Sequence, residues 1–191
     1  MAGVIRRKTI EAPREGTIAG LRDDPVEDGR LLIVERARLD VDTAGRGFTD
    51  VGGTIGRWLD AMSACDGMVL IFLRHTSASL TVQENADPSV RSDLLTALDR
   101  LAPEDGGWRH ALEGPDDMPA HIKTMLTTTS LTIPVVDGRL GLGTWQAIYL
   151  VEHRYEPHRR EMVLQYIGTC KDQVIRLEQG QQAALENDTF L

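Results

Sequence analysis

The sequence predicts an α+β fold, a compact antiparallel β-sheet or sandwich core with about three peripheral helices. Apolar runs of strand character recur at 31–41, 68–73, 131–136, 144–151 and 161–167. Helical spacing appears at 55–62, 88–101 and 117–125. These segments do not alternate strictly as strand and helix, which a parallel sheet requires. At 191 residues, with 41% hydrophobic and 26% charged, the chain suits one core and one domain. The boundaries read as an extension over 1–29, a domain over 30–170 and a tail over 171–191.

Each element has its own justification. The first 29 residues mix Arg, Glu, Asp, Gly and Pro without apolar periodicity and read as a loosely held extension. Leu31, Leu32, Ile33 and Val34, followed by alternation through Ala37, Leu39 and Val41, suit a strand, and Gly45, Gly47 and Asp50 then mark a turn. Ile55, Trp58, Leu59 and Met62 recur at helical spacing, in a helix ending before Gly67. Residues 68–73 are apolar at every position, as a central strand covered on both sides would be, and deliver Arg74 and His75 at its end. Residues 79–82 continue extended. Asp87 then caps a helix with Pro88 in its first turn, and Val90, Leu94, Ala97, Leu98 and Leu101 form its buried stripe. After a polar stretch, Asp116 and Asp117 with Pro119 read as a second acidic cap, with Met118, Ile122 and Met125 facing the core. Residues 131–136, the turn Asp137-Gly138, then 144–151 and 161–167 read as antiparallel strands. The tail after Gly168 has no clear apolar face.

Composition narrows the function classes. A net charge of -8 repels a polyanion, and the basic residues are scattered, so nucleic acid is not an expected partner. No window approaches the ~20 apolar residues of a membrane span and no signal-peptide pattern is present, so a cytoplasmic protein without membrane partners is expected. Cys65 and Cys170 lack CxxC spacing and read as packing residues.

Three of the five histidines fall at element edges, where sites are built: His75, His110 and His121. On a helix starting near Asp117, His121 lies four residues on, so carboxylate and imidazole share a face, and the acid orients the ring. Glu113, Asp116 and Asp117 crowd three carboxylates into five residues. Such density calls for a cation, an imidazolium or a helix N-terminus. Imidazole plus carboxylate suits Zn, Mn or Fe, while carboxylates holding a diphosphate through water suit Mg. For any single histidine a structural bond to nearby backbone is the commoner role, and no HExxH or CxxC spacing accompanies the cluster.

Glu84 and Asn85 sit between a strand and a helix start, where a carboxylate and an amide project into a cleft. Trp145 and Gln146 follow Gly143, which permits close backbone approach; core packing is the competing reading for Trp145. The hairpin from Glu152-His153-Arg154 to Arg159-Arg160 reads either as a phosphate contact or as a solvated turn. Ser77 and Ser79 lack a nucleophile elbow, and neither cysteine has a basic setting, which argues against covalent catalysis.

Several of these segments taken in order, His75-Thr76-Ser77-Ala78-Ser79-Leu80-Thr81, Glu84-Asn85 with Asp87-Pro88, and Glu113-Gly114 with Asp116 to Lys123, strongly resemble the YjbQ family. The later run Gly138-Arg139, Gly143-Thr144-Trp145-Gln146, Glu152-His153-Arg154 and Arg159-Arg160 continues the resemblance, which covers about 31–168. Gln83 and Ala147 depart from the family's Asn and Gly. The resemblance implies a homotrimer and a secondary thiamine phosphate synthase activity, in which aminopyrimidine methyl diphosphate joins thiazole phosphate with release of diphosphate. That chemistry needs a stabilised leaving diphosphate and a supported pyrimidine cation. The residues this implies are His75, His110 and His121 as metal ligands or donors to diphosphate. Asp116 and Asp117 orient them or bind Mg, and Glu113 supports the pyrimidine. Glu84, Asn85, Trp145, Gln146 and Arg154 bind substrate, Arg154 through phosphate. The expected cofactor is a divalent metal, and the expected partner is a small phosphorylated metabolite. The alternatives are a metal-dependent hydrolase of a small metabolite and a non-catalytic metabolite-binding trimer.

Overall fold

The structure, a computed structural model, describes residues 32–171. The readings of 1–29 as an extension, of Leu31 as a strand residue and of 172–191 as a tail lie outside the described residues. In chain order the elements are β1 (Ile33–Asp42), β2 (Gly47–Asp50), α1 (Gly52–Ala61), β3 (Ala64–Leu73), β4 (Ala78–Glu84), α2 (Pro88–Leu101), α3 (Asp117–Leu126), β5 (Ser130–Val136), β6 (Arg139–Leu140), β7 (Gln146–Glu152) and β8 (Arg159–Cys170). Two sheets form, in the orders β1-β8-β3-β5-β6 and β2-β7-β4. Every strand pairing is antiparallel, and the architecture is α+β.

Period-two alternation decides which side chains meet. Val69, Ile71 and Leu73 of β3, Ile133 and Val135 of β5, and Met162, Leu164 and Tyr166 of β8 point one way. They pack on Leu80, Ile148 and Leu150 of the smaller sheet and on Ile55 and Leu59 of α1. The core therefore lies between the sheets, with α1 closing one side.

The structure corrects several expectations. The segment Gly47–Asp50, read as part of a turn, is a short strand whose Phe48 pairs with Val151. The Asp137-Gly138 turn is as expected, with φ of 50° and 78°, the pattern of a tight hairpin turn, and it leads to the short strand β6. Strand β3 is central, but only one of its faces is covered by the described residues. Met68 and Phe72 are each 46% exposed, because no layer among the described residues packs on the outer face of the five-stranded sheet. On α2, Asp87 accepts from the Ser89 N–H at 2.8 Å, the expected cap, yet no residue of the helix is fully buried and Ala97 and Leu101 are exposed.

Helix α3 differs most. It buries Asp117, Pro119, Ala120 and Lys123, while Met125 is exposed. The helix is turned from the face that its methionines mark, because Lys123 spends its ammonium on Asp99 at 2.8 Å. Asp116 precedes α3 but makes no capping bond; its carboxylate is held from elsewhere. Helix α3 lies along the start of β4, with Thr124 donating to the Ala78 carbonyl at 3.3 Å.

Candidate functional site

Asp117 and His121 stand one turn apart on α3, with His121 Nε2 3.6 Å from Asp117 Oδ2. His121 Nδ1 lies 3.0 Å from the Thr76 carbonyl oxygen. A carbonyl only accepts, so Nδ1 carries a hydrogen, and Nε2 is the ring nitrogen turned to the carboxylate. His110 arrives from the loop before the helix and sets its Nε2 2.7 Å from the same Oδ2, with the two imidazole centroids 5.4 Å apart. One ligand atom from each of His110, Asp117 and His121 falls within 4.8 Å of the others.

Asp117 is 1% exposed. Its Oδ1 accepts from Arg154 Nη1, while its Oδ2 is buried without an aligned hydrogen-bond donor. A buried carboxylate oxygen in that state is costly unless something positive completes it. Two nitrogens and one oxygen converging on that point fit a divalent transition metal, zinc above all, and leave a coordination position open.

Arg154 holds the carboxylates in place. Its Nε donates to Asp116 Oδ2 at 3.1 Å and its Nη2 to the Glu113 carbonyl at 2.5 Å. Asp116 Oδ2 also accepts the Tyr155 N–H at 2.8 Å. Burial opposes ionisation of Asp116, but the Tyr155 N–H and the Arg154 hydrogen bond and charge outweigh it and hold the acid below its ordinary range. The guanidinium proposed for phosphate is thus engaged with protein acceptors. Glu113 sits at the rim, its side chain 71% exposed.

His75 does not join the His110–Asp117–His121 cluster. Its Nε2 accepts the Glu161 N–H at 2.8 Å, and Arg160 Nη1 lies 3.4 Å from Nδ1. Burial and the Arg160 charge lower its pKa. It does share a pocket of about 590 Å³ with His121, Thr76 and Phe72. Glu84, Trp145 and Gln146 line a different groove, at the far end of β4, and the backbone N–H of Asn85 donates to the Trp145 carbonyl there at 2.9 Å.

The sequence reading missed the layer beneath the site. Arg160 makes a two-pronged pair with Glu152, Nε to Oε2 at 2.7 Å and Nη2 to Oε1 at 2.6 Å, with exposures of 4% and 0%. Glu152 further accepts from Thr43 Oγ1 at 2.9 Å and from the Arg154 N–H at 3.0 Å. Burial opposes its charge, and the Arg160 bonds overcome this and lower its pKa. Arg160 reaches on to Ser77 Oγ at 3.1 Å. Glu152 therefore ties Arg154, which clamps Asp117, to the arginine beside His75. The signal was present: Glu152 falls on the inward parity of Ile148 and Leu150, and Arg160 on that of Met162 and Leu164.

The sequence profile of the YjbQ-like UPF0047 proteins matches residues 37–169. A UPF0047 protein of Synechocystis sp. is 48% identical over 131 residues, 68% of this chain and 89% of that protein. The UPF0047 protein YjbQ of Escherichia coli O157:H7 is 43% identical over 126 residues, 65% and 91% of the respective chains. A crystal structure of a conserved hypothetical protein from Thermus thermophilus is 40% identical, with a TM-score of 0.60 over 67% of this chain and 97% of that one. A YjbQ-like protein of unknown function from Sulfolobus solfataricus, at 24% identity and a TM-score of 0.67 over 72% and 99%, shares the fold. With the profile spanning most of the described domain, the chain belongs to the YjbQ (UPF0047) family.

Proposed function

We propose that this protein is a divalent-metal enzyme acting on a small phosphorylated metabolite in the cytoplasm, with thiamine phosphate synthesis as its reaction. Aminopyrimidine methyl diphosphate would join thiazole phosphate, the new C–N bond replacing the C–O bond to diphosphate. The observation that carries the metal part is the buried Asp117 Oδ2, without an aligned donor, between the Nε2 atoms of His110 and His121. A bound divalent cation supplies Lewis-acid stabilisation to an anionic phosphate leaving group. His110, Asp117 and His121 hold it, Arg154 and Thr76 orient two of those ligands, and the Glu152–Arg160 pair braces the wall that carries His75. The pocket shared by His75 and His121 is of small-metabolite size. No helix among the described residues is long and apolar enough to cross a membrane. The exposed apolar face of the five-stranded sheet supports self-association, which we assign to a homotrimer.

The open coordination position favours one second reading, a hydrolase in which the same cluster activates water. The test measures metal content and turnover together. Purified protein and its His110→Ala and Asp117→Asn variants are dialysed, assayed for metal, and incubated with both substrates; thiamine phosphate and free diphosphate are quantified. The variants should lose metal affinity on the order of 100-fold and lose turnover, while keeping the wild-type circular dichroism. Diphosphate release without thiamine phosphate would establish the hydrolase instead. Metal retained by a folded Asp117→Asn variant would overturn the cluster as a metal site, and no turnover of any kind by the metal-loaded protein would leave a binding protein.

A further inference from the structure

The pocket of about 590 Å³ beside the cluster differs in charge from the protein around it. The chain carries 29 Asp and Glu against 21 Lys and Arg, yet no carboxylate is among the residues that line this pocket. Its polar wall is Arg74, His75, Thr76, His121, Thr124 and Thr129. Arg74 is the side chain of that wall with a permanent charge. Arg74 and Thr76 stand two residue steps apart, at most about 7 Å along the chain, and the Thr76 carbonyl holds His121. The guanidinium is therefore rooted within a small ligand's reach of the histidine–aspartate cluster.

The other arginines near the site are committed. Arg154 is held by Asp116, Asp117 and the Glu113 carbonyl, and Arg160 by the buried Glu152. The Arg74 side chain is 52% exposed and donates from Nη1 to Glu161 Oε1. An ion pair this exposed contributes little and opens readily. Glu161 keeps a cation when it does, because Arg38 Nη1 lies 4.0 Å from its Oε2. The Arg74 backbone stays fixed by its N–H on the Glu161 carbonyl at 3.1 Å, so only the side chain has to turn. Of the three threonine hydroxyls, that of Thr124 is committed to the Ala78 carbonyl. Those of Thr76 and Thr129 donate to no acceptor among the described residues, which leaves two donors facing the pocket.

We propose that Arg74 is the phosphate-recognising side chain of this pocket. Its guanidinium leaves Glu161 to Arg38, turns inward and grips a phosphate group through two N–H donors, while Thr76 and Thr129 donate to the remaining oxygens. Arg74 thus takes the role that Arg154, bound to its own carboxylates, does not fill. The identity of the anion as phosphate rests on the phosphorylated-metabolite reading. The cationic wall without carboxylates rests on the pocket alone.

The test is equilibrium binding. Inorganic phosphate is titrated by calorimetry into the full-length protein as purified and into its Arg74→Gln, Glu161→Gln and Arg74→Gln/Glu161→Gln variants, with circular dichroism recorded for each. Saturable binding by the wild type is expected, weakened at least about tenfold by Arg74→Gln, or about 1.4 kcal/mol, within reach of one charge-assisted hydrogen bond. Glu161→Gln should tighten it roughly threefold by freeing the guanidinium. The double variant should stay as weak as Arg74→Gln, because a direct contact is lost whether or not Glu161 is charged. Absence of saturable binding by the wild type would overturn the proposal, as would wild-type affinity in folded Arg74→Gln. Affinity restored in the double variant would also overturn it, showing that Arg74 only screens Glu161. No turnover enters the measurement: a protein inactive in the synthase assay that binds phosphate through Arg74 keeps this proposal, and an active one indifferent to Arg74→Gln removes it.

Discussion

His153 has two buried ring nitrogens and a partner for one of them. Its Nε2 lies 2.9 Å from Ser79 Oγ, while Nδ1 is buried without a hydrogen bond. Burial and the nearby Lys123 ammonium lower its pKa from 6.5 to about 4, against the opposing pull of Glu152. The folded state therefore binds this proton less readily than the unfolded chain. The stability it contributes is complete above pH 6.5 and is lost as pH falls toward 4, by an amount on the order of 3 kcal/mol. His75, depressed in the same direction, adds to the loss as pH falls below 6.5. Glu152 and Asp116 act lower, where carboxylates ordinarily titrate. Denaturant unfolding at a series of pH values should show this decline in the wild type and a shallower one in His153→Gln, which keeps a side chain able to bond Ser79. Equal slopes for the two proteins would exclude His153 as the source.

Element geometry is most constrained where β3 meets β8. Gly67 lies opposite Gly168, and the pairing register shifts between Ala64 and Gly67 as in a β-bulge. A Cβ on Gly67 would sit 2.3 Å from the Ile167 carbonyl oxygen and 2.6 Å from the Gly168 Cα. Both are backbone atoms, so the strands must part for any side chain. Gly67→Ala should cost about 3 kcal/mol, read as a lower urea midpoint at unchanged slope; a wild-type midpoint would show that the strands separate freely there. The long strands β1, β3 and β8 were legible because ten to twelve residues display their period, whereas β2 and β6, at four and two residues, carry too little pattern to be told from turns. The orientation of α3 was misread because Met118 and Met125 look more apolar than Lys123, and only the Lys123–Asp99 contact makes the lysine the better residue to bury. The site was half legible. Asp117 and His121 follow from helical spacing, but His110 comes from a loop whose path no periodicity fixes. His75 and His121 look alike in sequence; what separates them is the Glu161 N–H on His75 Nε2, a contact set by the β3–β8 register.

At the scale of the molecule, the outward parity of the five-stranded sheet is the unresolved balance. Register places Met68 beside Ile167, Phe72 beside Val163 and Val34 beside Ile167 on that face. Val34 at 53% and Met68 and Phe72 at 46% exposure leave an apolar surface where a single-chain fold would place polar residues. The sequence reading of β3 as covered on both sides is not met among the described residues, and in the proposed assembly another copy would supply the missing layer. Charged residues at the β1 edge, Arg38 near Glu161 at 4.0 Å and Arg159 on Asp40 at 2.6 Å, would then lie at the rim, as interfaces commonly arrange. Met68 separates assembly from chemistry, because it lies on this face but not among the residues lining the His75 pocket, as Phe72 does. If the proposed trimer forms through this face, Met68→Asp should convert it to a monomer by light scattering while its circular dichroism stays that of the wild type, since the substituted side chain points away from the core. A folded Met68→Asp protein that remains trimeric would place the interface on another surface and leave this face in need of a different partner.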